Sequence, residues 1–332
     1  MIDLHLHLDG SLSEEDFCLL AKKEKYDLSF DFPNNIYVPD DCPSLEEYLK
    51  RFDIPLALLQ NEENIAYSVE SLIDRLANQG FVYAEIRFAP QLHTLKGLSQ
   101  TAVVKAAVKG LKNALKRNSE MDANLILCCM RHGDEKTNLE TIKVAKKFIH
   151  NKVCAVDLAG AEALHPSSYY TKIFNKAKKY HLNITIHAGE ATGSDEILMA
   201  LDNGAMRIGH GVHLSLDEKT VKTVKEKNVC FEFCPTSNLQ TKSLIKYSDC
   251  PLKLFMELNI PVTINSDNMT VSNTDAIKEM KHMMDVFDLS KEEIYSLLVN
   301  SVEHAFISKN NKKKLRKKID EKFPEYYEKL KH

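Results

Sequence analysis

Six residues could do chemistry together if the fold collected them: His5, His7, His187, Glu190, His210 and Asp267. Imidazoles and a carboxylate are the ligands of a zinc-type nitrogen and oxygen site, while a further carboxyl and imidazole are the usual agents of proton transfer. His5 and His7 alternate with Leu4, Leu6 and Leu8, so both imidazoles share one face of a strand, their roots roughly 6.6 Å apart. His187 and Glu190 close the run Asn-Ile-Thr-Ile-His-Ala-Gly-Glu, where Ile184 and Ile186 alternate with Thr185 and His187 and Gly189 ends the strand. His210 sits in Arg-Ile-Gly-His-Gly and Asp267 in Asn-Ser-Asp-Asn. Each stretch alone is equally compatible with a hydrogen-bonded structural His or a surface strand with its polar face outward.

The elements that must position these residues follow from periodicity. Strands are expected at 2–8 and near 81–88, 124–130, 153–158, 183–187, 206–210, 229–234 and 261–266, with amphipathic helices between them such as 99–117 and 215–227. Ser215 and Glu218 read as a capping box for the latter, as do Ser13 with Asp16 and Ser44 with Glu47 for earlier helices. A helix from about Glu63 to Gln79 ends at Gly80, a left-handed cap. Eight strand–helix units, with no Gly-x-Gly-x-x-Gly after any strand, point to a TIM (β/α)8 barrel rather than an open sheet. The expected organisation is a single barrel domain over 1–332. A helical insertion at about 11–61 after the first strand is either core or a lid over the pocket, and a charged helix spans about 309–332.

In such a barrel the chemistry sits at the carboxyl ends of the strands. Strand one ends with His5 and His7, strand four with Gly160, strand five with His187 and Glu190, strand six with His210 and strand eight with Asp267. Four His and an Asp at one mouth are hard to explain as separate structural accidents. Three His and a carboxylate suit zinc with a position left for water, whose pKa the ion lowers from 15.7 to about 7. Strand four ends Asp-Leu-Ala-Gly and offers no Lys to bridge two metals, so one ion per chain is expected.

Composition narrows the setting. With 332 residues, 44% hydrophobic and 27% charged, the chain can bury a large core. The formal net charge of -3 gives no general attraction to nucleic acid or anionic membrane, and the Lys-rich run from Lys309 to Lys318 reads as a solvated helix. No signal peptide and no membrane-length apolar run are apparent, so a cytoplasmic protein is expected, with a monomer favoured. The eight cysteines, several inside apolar strands such as Cys128, Cys129, Cys154 and Cys230, read as free thiols. None forms Cys-x-x-Cys.

Taken together these elements resemble the adenosine deaminase family of the amidohydrolase superfamily, in its bacterial type. The likeness rests on His-Leu-His-Leu-Asp-Gly-Ser at 5–11, Asp-Leu-Ala-Gly-x-Glu at 157–162, His-Ala-Gly-Glu at 187–190, Gly-His-Gly at 209–211, Cys-Pro-Thr-Ser-Asn at 234–238 and Ser-Asp-Asn at 266–268. The resemblance implies that His5, His7, His187 and Asp267 hold one Zn2+, with His7 and Asp267 also facing substrate. It implies that Glu190 protonates purine N1, that His210 orients and deprotonates the attacking water, that the Gly160 backbone meets N3, and that Asp9 meets the ribose 5′-hydroxyl. The 44–52 helix becomes a hydrophobic lid.

One departure is Asn268, where animal members have a second Asp; an amide N–H can donate to purine N7 as a protonated Asp would. The implied reaction converts adenosine and 2′-deoxyadenosine to inosine and 2′-deoxyinosine. The rivals are an adenine, AMP or modified-adenosine deaminase of the same fold, and an inactive nucleoside-binding protein. A carboxylate at Asp9 would repel a phosphate. The His-x-Glu and Pro-Cys-x-x-Cys motifs of deaminases acting on cytidine or nucleic acid are absent.

Overall fold

A computed structural model describes residues 1–27, 35–39 and 42–331. Eight parallel strands run in chain order: β1 (Ile2–His7), β2 (Tyr83–Phe88), β3 (Asp122–Met130), β4 (Val153–Ala159), β5 (Asn183–Ala188), β6 (Arg207–His210), β7 (Cys230–Phe233) and β8 (Val262–Ile264). Each pairs with the next in the order β1 to β8, the expected barrel. The seam between β8 and β1 closes just beyond β8. There Asp267 donates its N–H to the His5 carbonyl at 2.8 Å and accepts the His7 N–H at 2.7 Å.

Strand side chains alternate between two environments. Outward-facing Leu4, Leu6, Ile184, Ile186, Ile208 and Phe231 are buried against the surrounding helices and belong to one continuous apolar core. Each such side chain contributes about 1.5–3 kcal/mol by leaving water. Inward-facing positions are polar in this protein, with Asp3, His5, Glu85, Arg87, Asp157, Thr185, Arg207 and Glu232 all fully buried. The barrel is therefore filled by an ion-pair network where the usual filling is branched aliphatic side chains.

Local chemistry sets the helix ends. Glu62–Asn78 starts at Asn61, whose side chain accepts the Asn64 N–H, and buries Ile65, Val69, Leu72, Ile73 and Leu76 along one stripe. The chain leaves it through Gly80 at φ +90°. Ser13 and Asp16 form the expected reciprocal box. At Ser44 only half of one is present: its hydroxyl accepts the Glu47 N–H, and the Glu47 carboxylate pairs with Lys50. The expected box at Ser215 is a misreading. The helix is Glu218–Glu226, its cap is Asp217, and the Ser215 hydroxyl donates to the Asp217 carboxylate at 2.8 Å. A carboxylate one residue from the first helical turn outcompetes a hydroxyl three residues away.

The Lys-rich run Lys309–Lys318, expected as a solvated helix, is helical and mostly exposed, with Leu315 its buried residue. The helix Lys309–Lys331 lays Leu315, Ile319, Phe323, Tyr326 and Leu330 against the core, leaving its lysines on the other face. Tyr326 donates its hydroxyl to the Gly80 carbonyl at 2.7 Å. All eight cysteines are free, and seven are buried. Among the described residues no helix is long and apolar enough to cross a membrane. Residues 28–34, 40 and 41 of the expected 11–61 insertion lie outside the described residues. The rest of it contributes the helices Glu14–Glu24, Leu45–Leu49 and Asp53–Leu58.

Candidate active site

Period-two geometry on β1 turns His5 and His7 into the barrel mouth, β5 delivers His187, and the turn after β8 delivers Asp267. The Nε2 atoms of His7 and His187 lie 3.3 Å apart, and Asp267 Oδ1 lies 3.4 Å from Nε2 of both His5 and His7. One ligand atom from each of the four residues falls within 4.8 Å of all the others. His5 Nε2 is buried without a hydrogen-bond partner, which a cation at this point would satisfy.

Carboxylates deeper in the barrel orient the rings. Glu232 accepts from His5 Nδ1 at 2.8 Å, and Asp157 lies 3.0 Å from His187 Nδ1, so each ring keeps its Nε2 lone pair for the mouth. Burial, with the Arg87 charge beside it, lowers the His5 pKa to about 4, and burial drives His7 well below its ordinary value. Neutral imidazoles are what a cation requires. Burial alone would raise Glu232 and Asp157, but Arg87 and Arg207 hold Glu232 down, and His187 and Arg87 hold Asp157 down. Arg87 bridges Asp157 at 2.9 Å and Glu232 at 2.8 Å, and Arg207 pairs with Glu85 at 2.7 Å. This donor set of three imidazoles and a carboxylate, backed by carboxylates, fits a zinc-type ion.

Glu190 and His210 stand beside the cluster, with His210 Nε2 3.6 Å from Glu190 Oε2. The Nδ1 of His210 engages the Asn238 amide at 3.1 Å, which leaves Nε2 for the pocket. His210 and Asp267 both have left-handed backbones, φ +62° and +57°. Such conformations cost about 1–3 kcal/mol each in non-glycine residues and persist where the surroundings over-determine them. Here the seam hydrogen bonds hold Asp267.

A cavity of about 320 Å³ opens over these groups. Asp9 and Gly160 line it, as expected, and Leu45, Leu49, Phe52 and Leu56 of the insertion form its apolar roof. One Asp9 oxygen is buried without a partner, and burial raises its pKa to about 6. Gly160 sits at φ +107°, a conformation that strains any L side chain. Asn268 also lines the cavity. It donates one amide N–H to Tyr48 at 2.8 Å, and its oxygen lies against Gly10 without a partner. Tyr48 in turn shares a 2.7 Å hydrogen bond with Ser272, tying the roof to the turn after β8.

Every residue expected at the site is thus brought to one mouth. The residues that sequence reasoning gave no role are the supports: Arg87, Glu232 and Arg131, and, inside quoted motifs, Asp157, Glu162 and Asn238. A charged residue inside an apolar strand, as in Tyr-Ala-Glu-Ile-Arg-Phe, was the available signal.

The family model described as adenosine deaminase matches residues 1–322. The chain belongs to the adenosine deaminase family. The adenosine deaminase of Haemophilus ducreyi is 44% identical over 333 residues, covering 98% of this chain and 97% of that protein. That of Clostridium botulinum is 40% identical over 324 residues, covering 96% and 98%. Among solved structures, adenine deaminase from Arthrobacter aurescens is similar with TM-score 0.87 at 25% identity, covering 96% of this chain and 98% of that one. The N6-methyl-AMP deaminase of Arabidopsis thaliana gives 0.86 at 25%, covering 98% and 97%. A Burkholderia ambifaria amidohydrolase with bound zinc, 17% identical with TM-score 0.88, covers 99% and 92% and shares the fold. This member of the adenosine deaminase family is accordingly a metal-dependent hydrolase of the amidohydrolase barrel fold that deaminates adenosine-type purines.

Proposed function

We propose that the enzyme hydrolyses adenosine and 2′-deoxyadenosine to inosine and 2′-deoxyinosine with release of ammonia, serving purine salvage in the cytoplasm as a monomer carrying one zinc ion. The observation that carries this reading is the convergence of His5, His7, His187 and Asp267 on one point, with Glu190 and His210 beside it under an apolar roof. Zinc held by those four residues would polarise water and lower its pKa toward neutrality.

The protein's own groups do the rest. His210 takes one proton from water as its oxygen bonds C6, and Glu190 gives a proton to N1 as the C6–N1 π electrons move there. The tetrahedral carbon then carries hydroxyl and amine. His210 returns its proton to the amine, the C6–N bond breaks, and ammonia leaves. The remaining hydroxyl proton restores the Glu190 carboxyl as the C6 carbonyl forms, and N1 keeps its hydrogen. Gly160 offers backbone to N3, Asn268 offers its free amide N–H to N7, and Asp9 accepts the ribose 5′-hydroxyl. The roof helix Leu45–Leu49 acts as a lid that excludes bulk water.

The solved neighbours named for adenine and N6-methyl-AMP make those the rival substrates. A buried carboxylate at Asp9 disfavours a 5′-phosphate, and the space it faces would be left unfilled by a free base. Ultraviolet assays on adenosine, deoxyadenosine, adenine and AMP, paired with metal analysis, test the reading. A zinc-loaded enzyme without adenosine turnover overturns it. Glu190→Gln is expected to keep metal and nucleoside binding and lose most turnover.

A further inference from the structure

The turn that follows β5 carries a candidate metal ligand, His187, and the candidate acid, Glu190, three residues apart. Two buried side chains that take no part in the reaction grip its backbone. Glu162, 2% exposed, lies against the turn. Its Oε1 accepts the Gly189 N–H at 2.6 Å, and its Oε2 accepts those of Glu190 at 3.1 Å, Ala191 at 2.9 Å and Thr192 at 3.2 Å. At the start of the turn the His187 carbonyl accepts from Arg131 Nη2 at 2.7 Å, and Arg131 is itself fixed by the Ser167 hydroxyl at 3.0 Å.

Successive backbone N–H groups converging on one point form a nest for an anion. In this protein the anion is the chain's own carboxylate. The turn departs from strand geometry at Gly189, φ +68°, so its N–H groups leave the sheet ladder and need an acceptor. Charge-assisted hydrogen bonds are about twice as strong as neutral ones, so four on one carboxylate fix the Cα position of Glu190 tightly. The acid must reach a ring nitrogen within hydrogen-bond distance, where an error of about 1 Å costs on the order of 100-fold in rate.

We propose that Glu162 is a positioning residue for proton transfer at N1: its carboxylate organises the 189–192 backbone so that Glu190 meets the purine's N1 edge. This rests on the reading that Glu190 faces N1. A merely structural role predicts a different outcome, because loosening the fold would weaken all ligands alike, whereas misplacing Glu190 weakens only those that use N1.

The test uses the full-length, metal-loaded protein with inosine, whose N1–H can donate to Glu190, and 1-deazainosine, which carries carbon there. Calorimetric Kd values are expected to favour inosine by roughly tenfold or more in the wild type. Glu162→Gln keeps the size of the side chain but turns an amide N–H toward backbone donors. It is expected to bring the ratio within roughly twofold of one, as Glu190→Ala does by removing the acceptor, with 1-deazainosine affinity within about threefold of wild type. Its kcat on adenosine is expected to fall about 10–100-fold with KM changed less than about threefold. Glu162→Asp, which keeps the charge and retracts it by one carbon, is expected to give an intermediate ratio and serves if the Gln variant does not fold. A ratio preserved in both Glu162 variants but lost in Glu190→Ala overturns the proposal. A ratio preserved in Glu190→Ala as well overturns it together with the N1 reading beneath it.

Discussion

Glu279 makes a pH-dependent stability effect that can be worked through from its surroundings. It is fully buried on the helix Ala276–Phe287, accepting the Thr274 hydroxyl at 2.5 Å and the Thr236 N–H at 3.1 Å. Thr236 opens the short helix that carries Asn238 to His210, so this carboxyl sits behind the active site. Burial raises its pKa from 4.5 to about 7, and the Thr236 and Thr274 hydrogen bonds only partly oppose that. The sign follows from proton binding. Below pH 4.5 folded and unfolded chains are both protonated at this site and its full contribution is present. Between 4.5 and 7 the unfolded chain releases the proton while the folded chain keeps it, so stability falls as pH rises; above 7 the loss is complete. At about 1.4 kcal/mol per pH unit the loss reaches ~3 kcal/mol. Glu279→Gln cannot ionise. Its stability relative to wild type should therefore improve by ~3 kcal/mol between pH 4.5 and 8, on top of a pH-independent cost of about 1–3 kcal/mol for the mismatched amide. Urea unfolding of both proteins at several pH values, with linear extrapolation, measures the difference, in which contributions common to both cancel. A difference constant with pH to within about 0.5 kcal/mol would refute the reasoning.

Further outcomes follow from the supports. Glu232→Gln removes the charge that holds His5 Nδ1 and leaves Arg87 and Arg207 short of a counter-ion. Metal affinity should fall about 10–100-fold in a chelator competition, with stability reduced as well. Tyr48→Phe removes the hydroxyl that ties the roof to Asn268 and Ser272. Steady-state kinetics should show kcat/KM on adenosine reduced about 3–10-fold while Tm changes little. Stripping the metal with a chelator should abolish turnover and lower Tm, and zinc should restore both; turnover surviving complete removal, verified by metal analysis, would contradict the ligand assignment.

The groups expected to contact substrate or metal were legible because they stand at strand ends in short polar strings such as His-Leu-His and His-Ala-Gly-Glu, where period-two alternation says which way each side chain points. Their supports were not. Glu232 and Arg87 lie mid-strand, and a charge there looks like an outward face until closure of the barrel shows that inside and outside are both covered. Their pairing, 145 residues apart, is a property of the closed barrel rather than of either strand. The left-handed backbones of His210 and Asp267 were equally hidden, since nothing in an ordinary side chain announces a positive φ that tertiary hydrogen bonds impose. Ser215 misled for a local reason, a second capping residue two positions on. The apolar stripe of the C-terminal helix, mostly beyond Lys318, was not read because the lysine content of the run before it masked the helical spacing.

The seam between β8 and β1 has a consequence for how the protein becomes functional. The same residue, Asp267, that completes the candidate ligand cluster also joins the last strand to the first through its backbone, against His5 and His7. Members of the candidate cluster therefore come together only after about four-fifths of the 332-residue sequence has been synthesised, in one of the longest-range contacts of the fold. A nascent chain that has emerged through β5 already presents His5, His7 and His187, yet lacks both the carboxylate and the staple that holds β1 in register. Ring closure thus brings the fourth member of the candidate cluster to the other three.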